Sequence, residues 1–144
     1  MTNALAAFGT LLKIGDGGGT EVFTSIAEVT DISGPKFKLD TTEVTSHTSA
    51  GAWREKIPTL LDAGEMSLKI NFIPTGATHS QTSGLLKDMR SRTKRNFQLL
   101  FSDSGVTTWS FAAYVTSFEP SEPIDGALAA DVTLTITGAP TLAG

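Results

Sequence analysis

Apolar and polar residues alternate along much of this chain with a period of two, the spacing a pleated strand imposes on side chains that face opposite ways. The cleanest run is Glu65 to Phe72, where Met66, Leu68, Ile70 and Phe72 face one way and Glu65, Ser67, Lys69 and Asn71 the other. Leu128 to Ile136 repeats the pattern, with Leu128, Ala130, Val132, Leu134 and Ile136 set against Ala129, Asp131, Thr133 and Thr135. Phe97, Leu99 and Phe101 alternate as well, Asp103-Ser104-Gly105 marks a hairpin turn, and Val106 to Phe118 reads as a long strand. Glu119 to Gly126, holding Pro120 and Pro123, reads as a loop. Nearer the N-terminus, Phe8, Thr10, Leu12 and Ile14 alternate before the turn Gly15-Asp16-Gly17-Gly18-Gly19. Residues 21–33 form a second extended stretch, broken near Ser25, with Val22, Val29 and Ile32 as its apolar positions. Gly34-Pro35 is a turn signal, and Lys36 to Val44 reads as a half-buried strand through Phe37 and Leu39.

Two segments break the alternation. Thr45 to Ala63 reads as a long irregular loop in which Trp53, Ile57, Leu60 and Leu61 sit among small polar and charged residues. Loops of that length in a compact domain usually carry function. Gln81 to Thr93 has helical spacing, with Ser80 or Thr82 as cap and Leu85, Leu86 and Met89 as the packing stripe. The pattern predicts a mainly β protein: an antiparallel sandwich or barrel with one flanking α-helix.

Composition narrows this picture. The 144 residues fit one domain, 40% of them hydrophobic and 18% charged. Cysteine is absent, which removes disulfides, thiolate nucleophiles and Cys-based metal sites. The first eight residues lack a basic n-region and a full apolar h-region, so no signal peptide is expected. No apolar run approaches the ~20 residues of a membrane span. The net charge of −4 is unevenly spread: residues 1–35 balance to −3 and residues 36–95 to +4, while residues 96–144 carry acids alone. Such segregation suits copies that meet through complementary faces.

Candidate chemistry is sparse. His47 and His79 each stand in a Ser/Thr-rich context and read as solvated loop histidines. Two histidines without cysteines make a poor zinc site. The glycine run at 15–19 has no following Lys-Ser/Thr and no helix after it, so it is a turn rather than a phosphate cradle. Lys87, Arg90, Arg92, Lys94 and Arg95 could contact phosphates, but no aromatics are interleaved for base stacking. A solvated or subunit-facing helix surface accounts for them. No catalytic, cofactor or metal site emerges.

Residues 39–72 carry a resemblance. Leu39-Asp40-Thr41-Thr42-Glu43-Val44-Thr45-Ser46 is followed by Gly51-Ala52-Trp53-Arg54-Glu55-Lys56-Ile57-Pro58-Thr59-Leu60-Leu61-Asp62-Ala63-Gly64-Glu65 and then by the strand to Phe72. This resembles the major tail tube proteins of siphophages. In those, an Asp-Val-Thr-like element precedes a Gly-aromatic-Arg segment running into Ile-Pro-Gly-Leu-x-Asp-Ala-Gly-Glu; Thr59 replaces the common glycine here. The order of elements agrees over nearly the whole chain, to the Thr-rich strand at Val132–Gly138. The resemblance implies one tail tube domain over 1–144, without the immunoglobulin-like domain some members append. It implies hexameric rings, stacked head to tail around a tape-measure protein, that form a conduit for DNA during ejection. The implied partners are further copies of the chain, tail terminator and distal tail or baseplate proteins, and double-stranded DNA held non-specifically in the lumen. The place would be the tail of a virion assembled in the host cytoplasm, with no membrane involved.

Within that frame the apolar 45–63 loop becomes an assembly loop, with Trp53, Arg54, Glu55, Ile57 and Leu60 at contacts between subunits or rings. The N-terminal arm, residues 1–8 with Phe8, is a second contact. A lumen must repel DNA rather than bind it, so wall charges are sought among Asp31, Asp40, Glu43, Glu65 and Asp131 on polar strand faces. Each reads equally as ordinary outer-surface polarity. Two alternatives stay open: the tube subunit of a gene transfer agent or injection particle, and a monomeric β-sandwich binding module.

Overall fold

The computed structural model describes residues 4–143 apart from Gly18. In chain order the elements are β1 (Leu11–Gly15), β2 (Phe23–Ser25), β3 (Val29–Ser33), β4 (Lys38–Glu43), β5 (Lys56–Asp62), β6 (Glu65–Asn71), α1 (Leu85–Ser91), β7 (Arg95–Leu100), β8 (Thr108–Ser121) and β9 (Ala129–Ala143). Seven strands form one antiparallel sheet in the order β2-β1-β7-β8-β9-β6-β3, while β4 and β5 pair only with each other.

The connection from β2 to β3 dictates the shape of the sheet. These strands are its two edges, and laid flat they would lie about 29 Å apart at about 4.8 Å per strand. Only Ile26, Ala27 and Glu28 separate them, a link that spans at most about 14 Å. The sheet therefore rolls until its edges approach, and the alternating apolar residues fall inside. Met66, Leu68 and Ile70 of β6, Phe97 and Leu99 of β7, Phe111 and Val115 of β8, and Val132, Leu134 and Ile136 of β9 form that core, with Leu12 of β1. Phe97 and Phe111 stack at 5.8 Å. Each such side chain stabilises the fold by roughly 1.5–3 kcal/mol.

The short link is pegged on several sides. Ile26 N–H donates to Leu12 O at 2.9 Å and Asn71 N–H to Glu28 O at 2.8 Å. Ala27 N–H donates to Thr78 Oγ1 at 3.1 Å. His79 lies 2.6 Å from Ala27 O through Nε2, and its Nδ1 accepts the Ile73 N–H at 3.1 Å. Because Nδ1 accepts, Nε2 is the nitrogen that donates. His79 is thus a buried structural group and not the solvated loop residue its neighbours in sequence implied.

The strands of the core fall where the alternation put them, but several boundaries moved. The helix is shorter than residues 81–93. It begins after Gly84, where a Cβ would lie 2.4 Å from His79 N, and ends at Arg92 in the left-handed region, φ 57°. β8 continues through the expected loop to Ser121, and β9 continues past Ile136 to Ala143. The extension of β9 passes a bulge between Ser110 and Ala112, where Gly138 takes φ +75° opposite. The largest difference is at 45–63. Its second half is β5, paired antiparallel with β4 from Lys38–Asp62 to Glu43–Lys56. That hairpin is exposed throughout β5, and Phe37 and Leu39 are exposed rather than half-buried. At its root Gly64, φ +74°, passes so close to Lys36 that a Cβ would lie 2.1 Å from the carbonyl oxygen.

Candidate assembly surfaces

The outer face of β3, β6, β9 and β8 is polar, because its residues are the alternates of the core. Cross-strand register aligns them in rows. Asp31 pairs with Lys69, Lys69 with Asp131, and Asp131 with Glu119. The next row is Ser33, Ser67, Thr133 and Ser117, and beyond it Glu65 pairs with Thr135 and Thr135 with Tyr114. Thr116 and Thr135 join through their hydroxyls at 3.1 Å. Three of the five expected wall acids, Asp31, Glu65 and Asp131, therefore share one face. Glu119 belongs with them; it was read as part of a loop, although alternation past Phe118 would have kept it in a strand.

Asp40 and Glu43 lie elsewhere, on β4, and are engaged within the hairpin. Lys38 Nζ is 3.4 Å from Asp40 Oδ1, and Arg54 Nε is 3.8 Å from Glu43 Oε1. The polar face also has two open borders among the described residues. β3 is an edge strand, and β7 covers β8 only from Thr108 to Ala113. Tyr114 to Ser121 pair with β9 alone.

The β4–β5 hairpin is the second surface. Leu39 and Leu61 face each other across the pair and both are exposed, Leu61 at 82%. The turn beyond is held by its own bonds: Val44 N–H to Glu55 O at 2.8 Å, Glu55 N–H to Thr45 Oγ1 at 2.9 Å, and Ser49 Oγ to Glu55 Oε2 at 2.7 Å. Trp53 rides on this knot, 78% exposed, its backbone N–H donating to Ala50 O at 3.2 Å. The expected contact residues Trp53, Arg54, Glu55, Ile57 and Leu60 are thus gathered on one projection. Of the N-terminal arm, Met1 to Asn3 lie outside the described residues. Ala6 O accepts from Ser102 Oγ on the arm's own subunit, and Phe8 is 95% exposed.

The basic segment 87–95 is partly structural. Arg95 turns inward, its Nε 3.0 Å from Asp88 Oδ1 and its Nη1 2.9 Å from Asp16 O. Asp88 is 2% exposed. Burial pushes its carboxyl above the ordinary range, and the Arg95 hydrogen bond and charge pull it back. With both nitrogens of His79 committed to backbone, no general base faces a cleft there. Among the described residues no His, Asp and Glu cluster could hold a metal, and no helix is long and apolar enough to cross a membrane.

Comparisons with known proteins agree on one architecture. The tail of an empty gene transfer agent particle, refined with C6 symmetry, is similar to this chain at a TM-score of 0.80 and 21% identity, covering 98% of this chain and 100% of that one. A chain of a native gene transfer agent virion matches at 0.76 and 18%, with the same coverage. The SPP1 tail tube matches at 0.64 and 13%, over 94% of this chain and 76% of that one. No curated protein matches. The family model described as "Lambda phage tail tube protein, TTP" matches residues 16–143, so the chain belongs to the lambda phage tail tube protein family.

Proposed function

We propose that copies of this structural tail protein close into hexameric rings by joining the β3 edge of one subunit to the uncovered Tyr114–Ser121 stretch of the next. The observation that carries this reading is the four-strand polar face with an open edge on each side. Joined edge to edge, the faces become a continuous inner wall and both open borders of that face are covered. Six copies of four strands give a barrel of about 24, beyond the 16–18 at which barrels already enclose an open aqueous channel. Rings stacked head to tail extend the channel into a tube.

The wall then carries Asp31, Glu65, Glu119 and Asp131 from each subunit, offset by Lys69 alone. DNA bears one charge per about 1.7 Å of axis, and a basic wall would hold it through counterion release. A net acidic wall keeps it off and leaves hydrated counterions between. Lys69 lies between two aspartates, which mask it. Asp40 and Glu43, tied into hairpin ion pairs, are not part of this wall. The hairpin and the arm with Phe8 supply further contacts between copies, the rings stack around a tape-measure protein, and tail terminator and distal tail or baseplate proteins are the tube's further partners.

Negative-stain electron microscopy of the purified protein tests the reading. Hollow tubes or rings are expected from the unaltered chain and none from the Trp53→Ala, Ile57→Ala double variant. An unaltered chain that stays monomeric at every concentration would sink it. For the wall, a Glu65→Lys, Asp131→Lys variant, on the inner strands β6 and β9 rather than the joining edges, should still polymerise but give particles that deliver DNA poorly. Normal delivery would place these residues away from the lumen.

A further inference from the structure

The direction of backbone bonds along the polar face shows which groups its two open borders offer. Phe72 N–H donates to Leu128 O at 2.8 Å and Ile136 N–H to Gly64 O at 3.0 Å, so the even-numbered residues from 128 to 136 bond towards β6. Ladder bonds alternate sides, which leaves the odd-numbered ones for β8. Ser117, Glu119 and Ser121 lie opposite Thr133, Asp131 and Ala129 and are committed to β9. Phe118 and Pro120 turn their backbone to the open border. At the other border, Asn71 N–H donates to Glu28 O at 2.8 Å and Lys36 N–H to Glu65 O at 3.2 Å. By the same alternation Asp31 and Ser33, opposite Lys69 and Ser67, bond to β6, and Ile32 turns outward.

Carried straight across a seam, the row Asp31, Lys69, Asp131, Glu119 would set Asp31 of the next copy against Glu119. After six copies such a row meets itself at its own level, so the strands run parallel to the tube axis. Closed barrels instead tilt their strands by about 35–45°, through a staggered register. Slips go by twos, because a single step would turn core residues to the lumen. A slip towards Ser121 sets Ile32 against Pro120, which has no N–H for the Ile32 carbonyl, and carries β3 off the end of β8. A slip towards Tyr114 meets open backbone. Level with β3 are only Ser117 to Pro120, which leaves Tyr114, Val115 and Thr116 uncovered on that side.

We propose that adjacent copies join with a stagger towards Tyr114, seating Asp31 of one against the Tyr114–Ser117 stretch of the next. The inference rests on the ring reading above and fixes how its seam is registered. The stagger also shapes the wall. One row spans three strand spacings, about 14 Å, and a tilt of about 35–45° spreads it over about 8–10 Å along the axis. That matches the screening length of about 8 Å at physiological salt. Asp31, Asp131 and Glu119 of the six copies then form a band rather than a single charged collar, and DNA passing through meets no abrupt step in potential.

The sequence contains no cysteine, so introduced pairs report alone. β6 and β9 separate β3 from β8, which keeps paired cysteines about 14 Å apart within a copy. A disulfide needs Cα atoms within about 7 Å, so only neighbouring copies can form one. Asp31→Cys is combined in turn with Tyr114→Cys, Ser117→Cys, Glu119→Cys and Ser121→Cys, and assembled material is oxidised. A covalent ladder ending at the hexamer is expected with Ser117→Cys or Tyr114→Cys and not with the other two. A ladder from Glu119→Cys or Ser121→Cys overturns the stagger and leaves the ring reading standing. Rings in which no pair cross-links overturn the edge pairing itself, and an unaltered chain that forms no rings sinks both. Should the paired variants fail to assemble, strand tilt in a helical reconstruction of the unaltered tube decides. About 35–45° is expected, and strands parallel to the axis overturn the proposal.

Discussion

The barrel and the β4–β5 hairpin use the same kinds of residue and dispose of them oppositely. In β6, every second side chain disappears into the core and the alternates meet water. In β5, Ile57, Leu60 and Leu61 are as apolar as Met66 and Leu68, yet every residue of the strand is exposed. A two-stranded hairpin has no second layer to cover it, and alone it is marginal in water. The difference separates two tasks. Apolar residues in the barrel hold one subunit together, and those in the hairpin are left exposed, free on the proposed reading for contacts between subunits.

Substitutions in the two regions should diverge accordingly. Phe97→Ala, at a fully buried ring stacked on Phe111, is expected to lower the free energy of unfolding by about 3–5 kcal/mol in urea titrations. His79→Leu should cost about 1–3 kcal/mol, since it removes the side-chain partner of both Ala27 O and Ile73 N–H. A loss under about 0.5 kcal/mol would mean that the β2–β3 link is held by its other bonds.

Asp88 gives a smaller effect with a definite sign. Burial makes its carboxyl titrate above the ordinary aspartate value of 3.8 in the folded chain. The folded state therefore holds the proton more tightly than the unfolded one, and this contribution to stability is lost as pH rises from 3.8 through the folded value. Compared with Asp88→Asn, the unaltered protein should lose ground over that window; parallel stability curves would remove the burial argument. Asp103 runs the other way. Hydrogen bonds from Thr107 hold its carboxyl below the ordinary range, so its contribution is present above 3.8 and fades as pH falls. Least of all, Trp53→Ala should change the stability of the isolated subunit by no more than about 0.5 kcal/mol. A larger loss would make the tip part of the fold and erase the contrast between regions.

The sequence was legible wherever burial was one-sided. Met66 to Ile70 and Ala130 to Ile136 alternate because water lies on one side and the core on the other, and both strands were readable on that ground. The hairpin was not, because β5 has no buried face to impose a period: Lys56-Ile57-Pro58-Thr59-Leu60-Leu61-Asp62 looks irregular although it is paired along its length. Its motif located the segment, and its conformation had to be seen. His79 was hidden for another reason. Its partners, Ala27 and Ile73, are backbone atoms that carry no side-chain signature. The shared face of the acids proposed for the wall was half legible. Alternation put Asp31, Glu65 and Asp131 on polar faces, but only register could bring them into neighbouring rows and add Glu119.

The uncovered stretch of β8 also bears on which edges can join. Glu119 and Pro120 sit within it; the first places a carboxylate on the open edge, and the second brings no N–H to it. An edge so equipped pairs reluctantly with stray strands. Pairing is then left to an edge that fits it in register, which on the proposed ring reading is the β3 edge of another copy. The same two residues that turn stray strands away would thus make ring closure selective without any further device.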